Sequence, residues 1–263
     1  MTDAVRMTWL GHSTVVLERA GVRVVTDPLL GRHAGVLRRR GPRPERVWQG
    51  AAAAVVSHLH HDHAELSSLR LLGDVPVLTA PANARWLRSR GIAGGTGLRP
   101  DEWFDVAPGV SVRLTPAVHG HRPMPHRPNA ANGHLVRFAG ADGRGALTVW
   151  AVGDTELFGG LAAVPELAGG PPDVVLVPVS GWGPRLSGGH MGPLQAAELC
   201  ALVGARAAVP VHWGTLHAPG GRYLPPGWMD RPGELFAVEV ARVAPTTRVL
   251  VLRPGGSDEV AAA

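Results

Sequence analysis

One loop of the chain carries four histidines and an aspartate within six positions, in the segment SHLHHDHAEL (57–66). It directly follows AAAAVV, an apolar run that is typical of a short buried strand. Residues two apart in an extended stretch point the same way, whereas the turn that follows redirects its side chains. Such a loop can serve two adjacent metal ions, while clustering gives no advantage to surface histidines of an ordinary polar turn. We therefore interpret the segment as metal-binding.

Three further apolar strand patterns end on a residue of the same kind. His119 follows SVRLTPAV, Asp154 follows LTVWAVG, and His212 follows ARAAVPV. Neutral imidazole binds zinc and neighbouring first-row metals, and a carboxylate can bridge two ions, so five histidines and two aspartates suit a two-metal site. The candidate ligands are His58, His60, Asp62, His63, His119, Asp154 and His212.

Strand and helix patterns alternate along the chain. VVLERA and VRVVTDP, on either side of Gly21, predict an early hairpin at an edge or at the start of a meander. The apolar spacing of AELSSLRLL, PANARWLRSRG and GPLQAAELCALVG predicts helices. The alternation indicates a layered α/β fold. Because no low-complexity linker divides the 263 residues, we expect one domain over residues 1–263.

Composition narrows the possible partners. The formal net charge of +5 is compatible with nucleic acid, anionic lipid or a phosphorylated substrate, and all 26 basic side chains are arginines. Five of them fall in LRRRGPRPER (37–46), which lacks interleaved aromatics for base stacking, so we expect a solvated loop, with an anion-binding lip as the alternative. These arginines are Arg38, Arg39, Arg40, Arg43 and Arg46.

Two features bear on the compartment. The start of the sequence, MTDAVRMTWLGHS, lacks the apolar core of a secretory signal, and no segment approaches the ~18 apolar residues of a membrane span. We expect a soluble cytoplasmic protein, for which peripheral membrane contact and oligomerisation stay open. The single cysteine, Cys200, excludes an intramolecular disulfide, and its amphipathic helix pattern predicts a core position.

The motifs together resemble a known superfamily. HLHHDH matches the HxHxDH signature of the metallo-β-lactamase fold, and His119, Asp154 and His212 follow in that superfamily's order. TWLGHSTVVLERAGVRVVTDPLL, TPAVHGHR, AVGDTELF, GGHMGPLQAAEL and VPVHWGTLH extend the resemblance over most of the chain. They are similar to the branch that contains N-acyl-phosphatidylethanolamine phospholipase D and the ascorbate-6-phosphate lactonases. The resemblance implies a four-layer αβ/βα sandwich of two mixed sheets, with the metals at one edge.

The resemblance also implies roles for the ligands. One ion is expected on His58, His60 and His119. The other is expected on Asp62, His63 and His212, with Asp154 bridging the two. The resemblance implies two divalent ions that activate a bridging hydroxide as the nucleophile. Zn²⁺ is the expected metal, and Mn²⁺ or Fe are the alternatives. Asp62, Asp154 and His190 are the implied catalytic residues.

Several residues near these motifs have two interpretations each. His190 in GGHMGP either touches substrate or leaving group, or simply begins a helix. Asp27 in VVTDP either accepts a ring N–H from a metal-bound histidine or is a turn residue before proline. His12 in LGHS is expected to pack against the site, and His61 to face solvent. Spacing assigns no role to a last group of histidines, His121, His126, His134 and His217.

The predicted activity is hydrolysis of an ester-type bond in a small anionic molecule or lipid, with lactone opening and phosphodiester cleavage both open. A metal-dependent nuclease is the first alternative, but no large inserted domain is apparent, and no nucleic acid partner is expected. A non-catalytic metal-dependent sensor is the second, and the complete ligand set argues against it. The fold alone does not determine the substrate.

Overall fold

The computed structural model describes residues 4–120, 126–128, 130–140 and 145–262. His121 lies outside the described residues. The strands are β1 (Ala4–Gly11), β2 (Thr14–Arg19), β3 (Val22–Thr26), β4 (His33–Ala34), β5 (Leu37–Arg39), β6 (Ala53–Val55), β7 (Val77–Thr79), β8 (Gly95–Gly97), β9 (Phe104–Ala107), β10 (Val110–Pro116), β11 (Asn132–Phe138), β12 (Leu147–Ala151), β13 (Val174–Pro178), β14 (Ala207–Val211), β15 (Leu216–His217), β16 (Arg248–Val249) and β17 (Ser257–Ala261). The helices are α1 (Leu66–Leu71), α2 (Pro81–Ser89), α3 (Val164–Ala168), α4 (Pro193–Val203) and α5 (Pro232–Val243), with a 3-10 turn at Gly159–Ala163.

Two seven-stranded mixed sheets form the centre of the fold. The first has the order β17-β1-β2-β3-β6-β7-β8, and the second has the order β16-β14-β13-β12-β11-β10-β9. In each sheet one half is antiparallel and the other parallel. The predicted early hairpin is β2 and β3, and it belongs to a meander. The edge position is wrong for it, because β1 and β17 continue the sheet beyond β2.

The layers follow from which faces are apolar. Side chains of both sheets, among them Met7, Leu17, Val112 and Val136, are buried in one core between the sheets. A second core lies under α3, α4 and α5, and a third lies under α1 and α2. Burying each such side chain contributes about 1.5–3 kcal/mol, so both faces of each sheet need a cover. The expected four-layer sandwich with helices outside is confirmed.

Helix α4 shows how the sequence sets the local structure. Pro193 occupies its first turn, where a missing N–H costs nothing, and Gly204 ends it in a left-handed conformation at φ 64°. The Gln195 side chain accepts a hydrogen bond from the Gly192 N–H at 3.2 Å. Cys200 is fully buried in this helix, as predicted, and burial raises the pKa of its thiol to about 12. A thiol with such a pKa is no nucleophile at neutral pH.

The arginine-rich segment is only partly the solvated loop that the sequence suggested. Residues 37–39 form β5 in a small sheet of order β15-β5-β4. Arg39 is buried there and donates hydrogen bonds to the carbonyls of Leu10, Leu29 and Gly31. Burial lowers the pKa of Arg39 to about 10. The expectation fails for Arg39 because its acceptors are backbone carbonyls of the preceding loop and of β1, which no side-chain pattern marks.

Among the described residues, no helix has both the length and the apolar character needed to cross a bilayer.

Candidate metal centre

The ends of four strands bring the predicted ligands together. β6 leads into the histidine-rich loop, and β10, β12 and β14 lead to His119, Asp154 and His212. Within the second sheet, β10 and β12 each run antiparallel to β11, and β12 and β14 each run parallel to β13. The carboxyl ends of β10, β12 and β14 therefore lie at one edge of that sheet.

The first ligand group consists of His58, His60 and His119. One ring nitrogen from each lies within 4.8 Å of the others, which is a separation that one metal ion can span. The His119 Nε2 atom lies 3.1 Å from the His60 Nδ1 atom. The His58 ring lies at 76° to the His60 ring and 67° to the His119 ring, with centroids 4.4 Å and 4.7 Å away. These are the three histidines that the resemblance assigned to one ion.

The second ligand group contains Asp62, His63 and His212. The Asp62 Oδ2 atom lies 3.8 Å from His63 Nε2 and 3.7 Å from His212 Nε2. His12 joins this group, because its Nε2 atom lies 3.0 Å from the same Asp62 oxygen. From the sequence, we expected His12 only to pack against the site.

Asp154 connects the two groups. Its Oδ2 atom lies 3.2 Å from Nε2 of both His63 and His212. The same oxygen lies 3.9 Å from Nε2 of both His58 and His119. One carboxylate therefore faces histidines of both groups.

The donor atoms fit a metal centre. The Nε2 atoms of His58, His63 and His212 and the Oδ1 atom of Asp154 are buried and have no hydrogen-bond partner. A buried polar atom without a partner costs about 1–3 kcal/mol, so four together are unfavourable unless something binds them. Imidazole nitrogens and carboxylate oxygens are the ligands that zinc and related divalent ions take in proteins.

The charges in the cluster also suit a cation. Burial raises the pKa of Asp154, but His212 and His63 outweigh it and hold that pKa well below the usual range. Burial, with His63 beside it, lowers the pKa of His58 well below its usual range. Burial lowers the pKa of His212, but Asp154 outweighs it and raises that pKa to about 9. A cation that binds His212 therefore displaces a proton at neutral pH.

Hydrogen bonds behind the ligands orient their rings. Nδ1 of His119 donates to the Gly189 carbonyl at 2.7 Å, and Nδ1 of His212 donates to the Ser180 carbonyl at 2.7 Å. In the neutral ring, a proton on Nδ1 leaves the lone pair of Nε2 for a metal. Gly189 has φ 75°, and a Cβ there would lie 3.0 Å from His119 Nδ1, so glycine is required for this approach.

Backbone strain is concentrated around the same residues. His12, Asp27 and His212 have φ values of 52°, 35° and 63°, in the left-handed region that favours glycine. Each such residue costs on the order of 1–3 kcal/mol and persists only when its surroundings hold it. The His12 carbonyl accepts from the backbone N–H of His212 at 2.9 Å and from Trp9 Nε1 at 2.8 Å. These bonds fix the two histidines relative to each other.

His190 reaches the cluster from the loop before α4. Its Nε2 atom lies 3.3 Å from Asp154 Oδ2. Its Nδ1 atom lies 3.2 Å from the carbonyls of both Ser187 and Gly188. The Ser187 hydroxyl lies 3.1 Å from the same nitrogen and can donate to it, and Nε2 faces the Asp154 carboxylate. His190 therefore lies beside the candidate ligands and does not merely begin a helix.

Two tryptophans near the site pack against apolar neighbours, and the expectation for His61 needs correction. Trp213 stacks on Trp9 with ring centroids 5.3 Å apart and packs against the core between the sheets. Trp182 packs against a small cluster that includes Leu29. His61 does not simply face solvent, because Arg127 Nη2 donates to its Nδ1 atom at 3.1 Å.

Arg127 holds the histidine-rich loop from outside. Its Nη1 atom donates to the Leu59 carbonyl at 2.7 Å, and its guanidinium lies 4.6 Å from the centroid of the Trp86 ring.

We expect Arg127→Met to lower the free energy of unfolding by about 1.5–3 kcal/mol, because charged donors to the loop are lost. Chemical denaturation measures this. Arg99→Met is the control, since Arg99 is exposed and its guanidinium pairs with exposed Glu102. Equal denaturation midpoints for both variants would contradict the expected role.

Sequence reasoning missed the groups that orient ligands through backbone carbonyls, among them Ser180 and Gly189. The Ser57 hydroxyl lies 3.0 Å from His58 Nδ1, and this contact could have been anticipated because Ser57 directly precedes His58 in the motif.

Comparison with known proteins agrees with this geometry. A model of the family described as "Beta-lactamase superfamily domain" matches residues 22–213. A UPF0173 metal-dependent hydrolase of Methanosphaerula palustris is 31% identical over 265 residues, covering 97% of this chain and 100% of that protein. The fold, the ligand cluster and these matches together identify the chain as a metal-dependent hydrolase. The chain belongs to the beta-lactamase superfamily and, within it, to the UPF0173 metal-dependent hydrolases.

Two other relatives extend the comparison. The N-acyl-phosphatidylethanolamine-hydrolyzing phospholipase D 1 of Caenorhabditis elegans is 27% identical and covers 79% of this chain and 63% of that protein. Igni18, a metallo hydrolase from the archaeon Ignicoccus hospitalis, has a TM-score of 0.71 at 23% identity and covers 98% of both chains. At this identity, the likeness to Igni18 shows a shared fold.

Proposed function

We propose that this hydrolase uses two divalent ions to cleave an ester-type bond, a lactone or a phosphodiester, in a small anionic molecule or lipid. One observation carries the proposal: Asp154 Oδ2 lies 3.2–3.9 Å from histidine Nε2 atoms of both ligand groups. The proposed ligands of the two ions are His58, His60 and His119 for one and Asp62, His63 and His212 for the other, with Asp154 shared.

The chain's own residues prepare this site for hydrolysis. When bound, two divalent cations supply a hydroxide nucleophile at neutral pH and polarise the substrate oxygen. The nitrogen-rich set favours Zn²⁺, with Mn²⁺ and Fe as alternatives. Asp154 brings negative charge between the groups, and His12 orients the Asp62 carboxylate through their 3.0 Å contact. Asp62 and Asp154 thereby act as catalytic residues as well as ligands.

His190 is the proposed catalytic residue that does not bind metal. When the Ser187 hydroxyl donates to His190 Nδ1 across their 3.1 Å contact, the ring proton is on Nε2. In that form it donates a hydrogen bond to the negative charge that develops on substrate or leaving group. Its position 3.3 Å from Asp154 supports this role.

The phosphodiester has the more specific support of the two bond types. The Caenorhabditis elegans relative is named for hydrolysis of N-acyl-phosphatidylethanolamine, which supports the phosphodiester. The formal net charge of +5 favours an anionic substrate of either type. The arginine-rich segment contributes Arg38 to the exposed surface, where contact with an anionic membrane is compatible with the proposal. No nucleic acid partner is proposed.

Removal of metal is expected to abolish hydrolysis and to lower stability. Purified protein loaded with Zn²⁺, Mn²⁺ or Fe²⁺ should be screened against lactones, phosphodiesters and phospholipids, before and after a chelator and after metal is restored. At free metal of 100 times Kd, each occupied site adds about 2.7 kcal/mol to the free energy of unfolding. Activity that survives complete metal removal, or no hydrolysis of any ester class by the loaded protein, would contradict the proposal.

A further inference from the structure

A branched hydrogen-bond network lies behind both ligand groups. Asp27 Oδ2 is 2.8 Å from His63 Nδ1 and 2.8 Å from the Ser57 hydroxyl. The same hydroxyl is 3.0 Å from His58 Nδ1. The other carboxylate oxygen, Asp27 Oδ1, accepts from the Ser57 backbone N–H at 2.7 Å. All four residues are at most 5% exposed, so water does not compete for these bonds.

Counting protons fixes the direction of each bond. A carboxylate only accepts, and a serine hydroxyl has one proton to donate. The Ser57 hydroxyl therefore donates to Asp27, and its lone pair accepts from His58 Nδ1. His63 Nδ1 also donates to Asp27, since its 2.8 Å contact is shorter than the 3.3 Å to Ser57. Both histidines are thus left with an unprotonated Nε2 in their neutral forms.

The two histidines belong to different ligand groups. His58 lies with His60 and His119, whereas His63 lies with Asp62 and His212. Asp27 contacts His63 directly but reaches His58 only through Ser57. Removal of the Ser57 hydroxyl therefore breaks the link to one group and leaves the link to the other intact.

We propose that Ser57 is a positioning residue that holds His58 in its metal-binding tautomer, and that Asp27 orients both ligand groups at once, one of them through Ser57. The proposal rests on the two-ion centre proposed above. It goes beyond the sequence interpretation, in which Asp27 was at most the partner of one histidine and Ser57 had no role. Partners of this kind typically change metal affinity about 10–100-fold.

The test compares stepwise metal affinity and ring tautomers in three variants. Ser57→Ala should weaken one site about 10–100-fold and leave the other at the wild-type affinity. Asp27→Asn should weaken both sites. Ser68→Ala is the matched control, because Ser68 is also fully buried and hydrogen-bonded but contacts Glu65 and Leu30. Titration with Zn²⁺ against a competing chelator measures the affinities of the full-length chain.

Histidine ¹⁵N spectra assign the affected site and test the tautomer directly. In metal-free Ser57→Ala, the His58 ring should lose its uniform Nδ1-protonated state, whereas His63 should keep its own. Equal loss at both sites, or Ser57→Ala affinities and spectra matching those of Ser68→Ala, would overturn the role of Ser57. If the wild type binds fewer than two ions, the two-ion function fails instead, and the His58 tautomer still decides whether Ser57 positions it.

Discussion

The Asp154→Asn variant is expected to lose at least ~10³-fold in kcat while it keeps its fold. Stabilisation of transition-state charge by metal ions is worth several kcal/mol, and each 1.36 kcal/mol corresponds to a tenfold change in rate. Asparagine has nearly the same shape but lacks the negative charge that lies within 3.9 Å of both ligand groups. The measurements are kcat on the identified substrate, metal content and thermal unfolding.

A matched aspartate separates this effect from general damage. Asp173 lies directly before β13 and accepts from the Thr148 N–H at 2.8 Å, away from the ligand cluster. Asp173→Asn should keep metal content and kcat even if it loses some stability. If Asp154→Asn retained two tightly bound ions and full turnover, the shared role of this carboxylate would be wrong.

The His190→Ala variant is expected to lose on the order of 10²–10³-fold in kcat, or ~3–4 kcal/mol, by comparison with the loss of one oxyanion donor. Its metal content should not change, because in the proposed centre each ion is held by three other side chains and by Asp154. His217→Ala is the control, since the His217 ring donates to the Ala218 carbonyl and belongs to neither ligand group. Loss of one ion, or an unchanged rate on a verified substrate, would refute the role of His190.

Local patterns were sufficient to predict the strands and loops that carry the ligands. An apolar run followed by histidine or aspartate is a short-range signal, and β6, β12 and β14 each show it. The pairing of two sheets was available only from the resemblance, because layering depends on contacts between distant segments. β17 illustrates the limit: Ala4 pairs with Ala261, and the strand SDEVA has little apolar alternation to reveal it.

The surroundings of the site were harder to predict than its ligands. Ser180 and Gly189 act through carbonyls that every residue possesses, so no side-chain type marks them. Arg39 looked like one more solvated arginine, and its burial depends on carbonyls of the β1 end and the following loops. His61 meets Arg127 only because a segment 66 residues away folds back over the loop. Such contacts are properties of tertiary structure.

The metal content of the wild-type chain tests the central claim most directly. The purified full-length protein should be dialysed against Zn²⁺, freed of loosely bound metal, and measured by mass spectrometry of the metal against protein concentration. A two-ion centre predicts two ions per chain, falling when Asp154 is replaced by asparagine. One ion per chain, or none, would contradict the account.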